Sequence, residues 1–139
     1  MTARAAAVAG LLTLLVAGAS AASGDAAARP SRGSVPITIH HSRFDPVLVA
    51  VEPGETVRFV IRNTDPIDHE FILGDEEVQR VHEEGTEAHH PPRPGEVSVP
   101  AGATVETTVT FPTAPAELIF GCHLPGHYDF GMRGTVTIG

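Results

Sequence analysis

The sequence predicts an all-β domain, a sandwich of about seven or eight short strands. Short runs of alternating or β-branched apolar residues recur from Val35 to Ile138, and turn-forming pairs such as Pro53-Gly54 separate them. A length of 139 residues with 42% hydrophobic content suits one packed core. We therefore expect a single folded domain with regularly spaced turns.

The predicted strands follow one another along the chain. Ile37 and Ile39 alternate with polar residues, which is the period of a half-buried strand. The later runs share this branched and aromatic character and lie at 47–51, 56–61, 70–73, 96–99, 103–111, 117–121 and 134–138. The Asn-Thr-Asp-Pro sequence at 63–66 is typical of a turn. These runs together indicate a sandwich or barrel rather than alternating strands and helices.

One segment interrupts the strand pattern. Asp75 is a candidate N-cap, acidic residues fill the next turn, Val78 and Val81 are three apart, and Gly85 is a stop signal. The residues that follow, up to 95, are too rich in proline for a central strand. We expect the sandwich to carry a short helix and a loop as an insertion around 75–95.

The N-terminal segment has the features of an export signal. Arg4 precedes an uncharged apolar stretch at 5–17, and small residues occupy 19–21. The sequence thus predicts a signal peptide at 1–21, a flexible segment at 22–34 and the folded domain at 35–139. The alternative is an uncleaved anchor, but the apolar run is shorter than the roughly 20 residues that span a bilayer. The mature chain is expected to be exported to the periplasm or secreted, without stable membrane insertion.

Charge limits the partners of the mature chain. Removing Arg4 with the signal leaves 8 basic against 17 acidic residues, so the formal charge is 8 − 17 = −9. This balance disfavours nucleic acid and anionic membranes as partners. Partners with a neutral or basic surface are more compatible.

Cys122, His127 and Met132 carry the chemistry. Cys122 is the only cysteine of the chain, so it has no disulfide partner and its thiol needs another explanation. The one methionine beyond the predicted signal, Met132, lies in the same loop, with His127 midway between the two. Thiolate and thioether are soft ligands, and His₂Cys with a weak axial Met is the ligand set of blue copper sites. The loop therefore predicts three ligands of one type 1 copper ion.

The fourth ligand is expected from a distant strand. His69 follows the predicted turn and heads the strand that runs to residue 73, so it is the best placed. His40 and His41 compete for this role but lie near an earlier strand. His123 is adjacent to Cys122, and successive residues of an extended segment point to opposite sides. His123 could line a relay to a second redox centre, but we expect it to lie on the surface.

The segment 122–127, Cys-His-Leu-Pro-Gly-His, resembles the Cys-x-x-Pro-Gly-His ligand loop of azurins. The spacing from His127 to Met132 is similar to that of plastocyanins and auracyanins. On these motifs the chain from Val35 to Gly139 is identified as a member of the cupredoxin family of blue copper proteins. This resemblance implies an eight-stranded Greek-key sandwich with copper at one end.

The resemblance also implies a first histidine upstream, three ligands in the loop before the last strand, and an apolar patch around His127 that redox partners reach. One position departs from the family. Cupredoxins often place Asn or Ser beside the first histidine, where it helps to orient the ligand loop, whereas this chain has Glu70.

These observations predict a monomeric one-electron carrier that serves redox partner proteins while copper cycles between Cu(I) and Cu(II). The chain is not expected to be an enzyme, because it lacks the His-x-His pairs that multicopper oxidases use. The alternatives are a periplasmic copper chaperone or storage protein and a sandwich without metal. An auxiliary Cu(II) or Zn(II) site at His82, His89 and His90 is weighed against a solvated acidic loop.

Overall fold

The structure is a computed structural model that describes residues 33–85 and 91–139. In these ranges it contains nine strands and one helix, so the predicted all-β sandwich with a short helical insertion is confirmed. The elements are β1 (Ser34–Ile39), β2 (Phe44–Asp45), β3 (Leu48–Val51), β4 (Thr56–Asn63), β5 (His69–Gly74), α1 (Glu76–Glu84), β6 (Glu96–Val99), β7 (Thr104–Thr110), β8 (Ala116–Gly121) and β9 (Arg133–Ile138).

The predicted signal peptide at 1–21, most of the segment at 22–34, and residues 86–90 with His89 and His90 lie outside the described residues. The domain boundaries therefore stay predictions. Within the described ranges, no helix combines the length and apolar character that crossing a bilayer requires.

Two sheets form the sandwich. One has the strand order β2-β1-β4-β7 and the other the order β3-β9-β8-β5-β6. β1 pairs with β4 and β3 pairs with β9 in parallel, while the remaining pairs are antiparallel. Strands that are neighbours in a sheet are often distant in sequence, which is the crossover pattern of a Greek key. The ligand loop connects β8 to β9 inside the second sheet.

The core lies between the sheets and is rich in aromatic side chains. Along β4, alternate residues are buried, as a strand with one face on the core requires. Phe71 of β5 and Phe120 of β8 stack with ring centroids 5.3 Å apart, and Phe44 packs edge-on against both rings. These contacts hold the strands that carry the candidate ligands.

Every residue of β5 is buried, because β6 and β8 flank this strand and α1 contacts it. The predicted cap of α1 is confirmed: the N–H of Val78 donates to the Asp75 carboxylate over 3.0 Å, and the helix ends before Gly85. Gln79 is the buried residue of the helix, while Val81 remains half exposed. The side chain of Gln79 donates to carbonyl oxygens of both β5 and β8, at 3.1 and 3.0 Å.

Candidate metal centre

Backbone hydrogen bonds close the loop between β8 and β9. Cys122 follows the last residue of β8, and its N–H donates to the carbonyl of Met132 over 3.1 Å. The N–H of Met132 donates to the carbonyl of His127 over 2.9 Å, and the N–H of His127 donates to that of Leu124 over 2.9 Å. The three predicted loop ligands are thereby held in one compact turn.

The fourth predicted ligand comes from the neighbouring strand. His69 is the first residue of β5, and the N–H of Glu70 donates to the sulfur of Cys122 over 3.3 Å. His69 Nδ1 lies 3.9 Å and His127 Nδ1 lies 3.2 Å from Cys122 Sγ. The structure therefore brings together two imidazole nitrogens and one sulfur that are distant in sequence, all within 4.8 Å of one another.

These separations suit a single metal ion. A transition metal such as zinc binds thiolate at about 2.3 Å and imidazole at about 2.0–2.1 Å, so two ligand atoms of one ion lie roughly 3–4 Å apart. In the part of the chain that the structure describes, this is the only group of three or more His, Cys or acidic side chains so arranged. Met132 is buried, and its backbone is hydrogen-bonded to the backbone of Cys122 and of His127. Its role as the axial ligand stays a prediction.

Burial controls the protonation of the sulfur. It raises the pKa of the Cys122 thiol to about 11, and the carboxylates of Glu70 and Glu83 add to the rise, while hydrogen bonds from the N–H groups of Leu124 and Glu70 oppose it. The metal-free site thus holds a neutral thiol. A metal ion binds the thiolate and must displace this proton.

His69 has a buried carboxylate partner that the sequence reasoning missed. Its Nε2 lies 3.0 Å from Asp65 Oδ2, while its Nδ1 faces the sulfur. Burial lowers the pKa of His69, against the opposing effect of Asp65. Burial alone would raise the pKa of Asp65, but hydrogen bonds from the N–H groups of Ser42 and His41 and from His69 hold it below its usual value. The only signal in the sequence was an acidic turn residue four positions before His69, which is too common to be decisive.

His123 does not lie on the surface, so that prediction was wrong. Only 2% of the residue is exposed. It does point away from the copper ligands, as predicted, but α1 covers that side of β8 and buries the ring. Glu83 and Gln79 of α1 bond to its two nitrogens at 2.7 and 2.8 Å, and the ring stacks on Tyr128 at a centroid distance of 4.6 Å.

The other described histidines stand apart from the ligand group. His40 Nδ1 lies 3.0 Å from Thr64 Oγ1, and its ring packs against that of His41. His82 Nε2 lies 3.5 Å from Glu96 Oε2, but no second group of three ligating side chains occurs in residues 33–85 and 91–139. The auxiliary site is therefore not seen in the described residues.

One ligand reaches towards solvent. His69 and Cys122 are buried, whereas His127 is only partly so. Phe130, three residues further along the loop, is 81% exposed, and Pro125 is also exposed. Two apolar residues of the loop that contains His127 are thus exposed, and the apolar patch that the family resemblance implies there stays a prediction.

Comparison with known families agrees with this site. Residues 33–139 match the family described as copper binding proteins of the plastocyanin/azurin type. The chain therefore belongs to the plastocyanin/azurin family of copper-binding proteins, and the donor set of two imidazoles and a thiol fits copper as its cofactor.

Curated relatives carry a more specific name. The copper-resistant cuproprotein CopI of Pseudomonas aeruginosa is 30% identical over 169 aligned positions, which cover 94% of this chain and 92% of the relative. The CopI of Rubrivivax gelatinosus is 40% identical over 99 residues, 69% of this chain, but the match spans only 59% of that relative.

Among solved structures, an auracyanin from Roseiflexus castenholzii superposes with a TM-score of 0.66 at 23% identity, covering 79% of this chain and 99% of the auracyanin. Auracyanin B superposes with a TM-score of 0.63 at 20% identity, covering 84% of this chain and 92% of that protein. These two likenesses concern the fold.

Proposed function

We propose that the chain is an exported type 1 copper protein that carries single electrons between redox partners. The observation that carries this proposal is the ready-made ligand group of His69, Cys122 and His127. One strand and one hydrogen-bonded loop position these side chains. A site held this rigidly favours little change of coordination between Cu(I) and Cu(II), which rapid electron transfer requires.

Copper, when bound, supplies the one-electron couple, and the chain tunes it. The N–H of Glu70 donates to the Cys122 sulfur. Hydrogen bonding around the cysteine sulfur and the identity of the axial ligand both set the potential of such sites. This backbone bond withdraws charge from the thiolate whichever side chain residue 70 carries.

His127 is the proposed point of electron exchange. It is the ligand that is partly exposed, and Phe130 and Pro125 give its surroundings an apolar surface. The acidic balance of the chain favours partners whose surface is neutral or basic. We expect the carrier to act as a monomer, without substrate chemistry of its own.

Copper handling is the second candidate function. It is favoured by the name of the curated relatives, copper-resistant cuproproteins. A chaperone or store would use the same ligands but pass copper on to another protein. The burial of His69 and Cys122 opposes rapid ligand exchange, and for this reason we place the carrier first.

The first test is the visible absorption and EPR spectrum of the purified mature protein with Cu(II). We expect an intense thiolate-to-copper band and narrow copper hyperfine splitting, both lost in Cys122→Ser. Met132→Leu should keep the band and change the reduction potential, because it removes only the weak axial ligand. His82→Ala, outside the ligand group, is the matched control and should alter neither.

A second measurement separates the two functions. The loaded protein is mixed with an excess of a Cu(I) chelator and, in parallel, with an inorganic one-electron oxidant. A carrier exchanges electrons many times before it loses its copper. Loss of copper to the chelator faster than electron exchange would overturn the carrier proposal in favour of copper handling.

A further inference from the structure

Asp65 is a buried acid for which the family resemblance gives no role. Its residue is 6% exposed, and its carboxylate accepts hydrogen bonds from the backbone N–H groups of His41 and Ser42, both over 2.7 Å. The Oδ2 atom, which Ser42 contacts, also lies 3.0 Å from His69 Nε2. A carboxylate satisfied by two backbone donors offers the imidazole an acceptor and no proton.

This arrangement selects one form of the His69 ring. With a carboxylate at Nε2, that nitrogen carries the proton, and the lone pair is left on Nδ1, which faces Cys122 Sγ at 3.9 Å. Copper needs that lone pair. Partners of the second ring nitrogen commonly orient metal-binding histidines and strengthen their donation to the metal.

The turn that holds Asp65 adopts an unusual backbone conformation. His41 and Ser42 have φ angles of 51° and 52°, in the left-handed region that residues with a Cβ atom disfavour. Paired backbone bonds between His40 and Arg43, of 3.0 and 3.1 Å, close the turn. Two-residue turns with both φ angles positive usually contain Asn-Gly. Here both left-handed residues direct their N–H groups at Asp65, and these two hydrogen bonds offset the cost of the conformation.

Asp65 is also held from its own side. Its N–H donates to Asn63 Oδ1 over 2.9 Å. The amide nitrogen of Asn63 donates in turn to the carbonyls of Val99 and Pro100, both over 3.1 Å. The carboxylate is thus held directly by the turn at 41–42, and the backbone of Asp65 is tied through Asn63 to residues 99–100.

We propose that Asp65 is a positioning residue of the copper centre, whose carboxylate, held by the left-handed turn at His41 and Ser42, fixes the His69 ring with Nδ1 directed at the metal. This inference rests on the copper site and not on the electron-carrier role. As a full negative charge bonded to a ligand, Asp65 stabilises Cu(II) more than Cu(I) and lowers the reduction potential.

The Asp65→Asn variant removes the negative charge and one of these hydrogen bonds, or more, in either orientation of the amide. If the amide oxygen replaces Oδ2, the NH₂ group replaces Oδ1 and faces the N–H of His41, so that two donors meet without an acceptor. If the amide nitrogen replaces Oδ2, two donors, the NH₂ group and the N–H of Ser42, face each other. The NH₂ group can then bond to His69 only when Nε2 accepts, which places the His69 proton on Nδ1. Asp68→Asn is the matched control: it removes the same charge from the same loop, but its carboxylate is exposed and accepts from the N–H of Ala101.

The experiment compares copper affinities and reduction potentials of the wild type, Asp65→Asn and Asp68→Asn. We expect Asp65→Asn to weaken Cu(II) binding about tenfold or more relative to Cu(I), because loss of such a partner costs about 10–100-fold. A tenfold change in this ratio raises a one-electron potential by about 59 mV. Equal shifts in Asp65→Asn and Asp68→Asn would overturn the proposal, since charge alone would then explain both.

A measurement on the wild type keeps the test decisive if Asp65→Asn does not fold. In the copper-free protein at pH 8, ¹⁵N NMR of the imidazoles should show His69 with its proton on Nε2; a proton on Nδ1 would refute the positioning role. Replacing His41 and Ser42 by Asn and Gly keeps both N–H donors in a turn that tolerates them better. This double variant should retain the wild-type potential. If these tautomer and potential measurements come out as expected but the protein does not exchange electrons, the carrier function is contradicted and the role of Asp65 is not.

Discussion

Copper binding should depend on pH through the buried thiol of Cys122. Burial raises its pKa to about 11 in the metal-free protein. At pH 7, about four units below this pKa, roughly one molecule in 10⁴ holds the thiolate. The free energy of copper binding is therefore weaker by about 5 kcal/mol than for a site whose thiolate is already formed. Because the metal binds the thiolate, each copper ion displaces one proton. Copper affinity should therefore rise about tenfold per pH unit until the pH approaches the pKa of the thiol.

The assay is an anaerobic competition of the protein with a Cu(I) chelator of known pH dependence, from pH 7 to 9. Burial keeps His69 neutral across this range by lowering its pKa, so Cys122 dominates the slope. A pH indicator in weak buffer should report about one proton released per copper ion. Cys122→Ser should bind copper weakly, and its copper affinity should not show this dependence on pH. An affinity that stays constant from pH 7 to 9, with no proton released, would show that the thiolate is already formed and refute the reasoning.

Two further predictions concern stability. Gly134→Ala places a methyl group against the ring of the fully buried Phe120 and 2.6 Å from the carbonyl oxygen of Val47, and should lower the free energy of unfolding by about 1–3 kcal/mol in urea titrations. Gly139→Ala, whose added carbon meets nothing within 4 Å, should change it by less than about 0.5 kcal/mol; equal effects would contradict the steric argument. Burial lowers the pKa of His69 and His123, so below about pH 6.5 the unfolded chain binds more protons. As the pH falls below this value, the free energy of unfolding of the metal-free protein should decrease by up to about 1.4 kcal/mol per pH unit for each of the two histidines. A free energy of unfolding that stays constant from pH 7 to 5 would contradict this.

Local features explain why so much was predictable. Strand alternation has a period of two residues, and turn residues mark where each strand ends, so the sandwich is visible in the sequence. The soft ligands Cys122 and Met132 lie within one loop, with His127 between them, so no tertiary information was needed to suspect copper. The helix cap at Asp75 is equally local, because the capping side chain and the N–H it accepts are three residues apart.

Contacts between distant segments escaped the sequence reasoning. His123 was predicted at the surface from strand alternation, yet α1 covers that side of β8 and buries it. Alternation tells which side of a strand a residue takes, but not whether another element covers that side. The sequence indicates Asp65 only as part of a turn, because the backbone donors that hold its carboxylate come from a turn more than twenty positions earlier.

The sequence by itself determined the fold class, the helical insertion and the soft-ligand loop, since each depends on residues close together in the chain. Only the tertiary structure decided that His69 Nδ1 meets Cys122 Sγ and that Asp65 stands behind this histidine. The physical reason is that strand pairing brings together side chains separated by many residues. The resulting desolvation and hydrogen bonds set protonation and orientation, and neither can be read from neighbours in sequence.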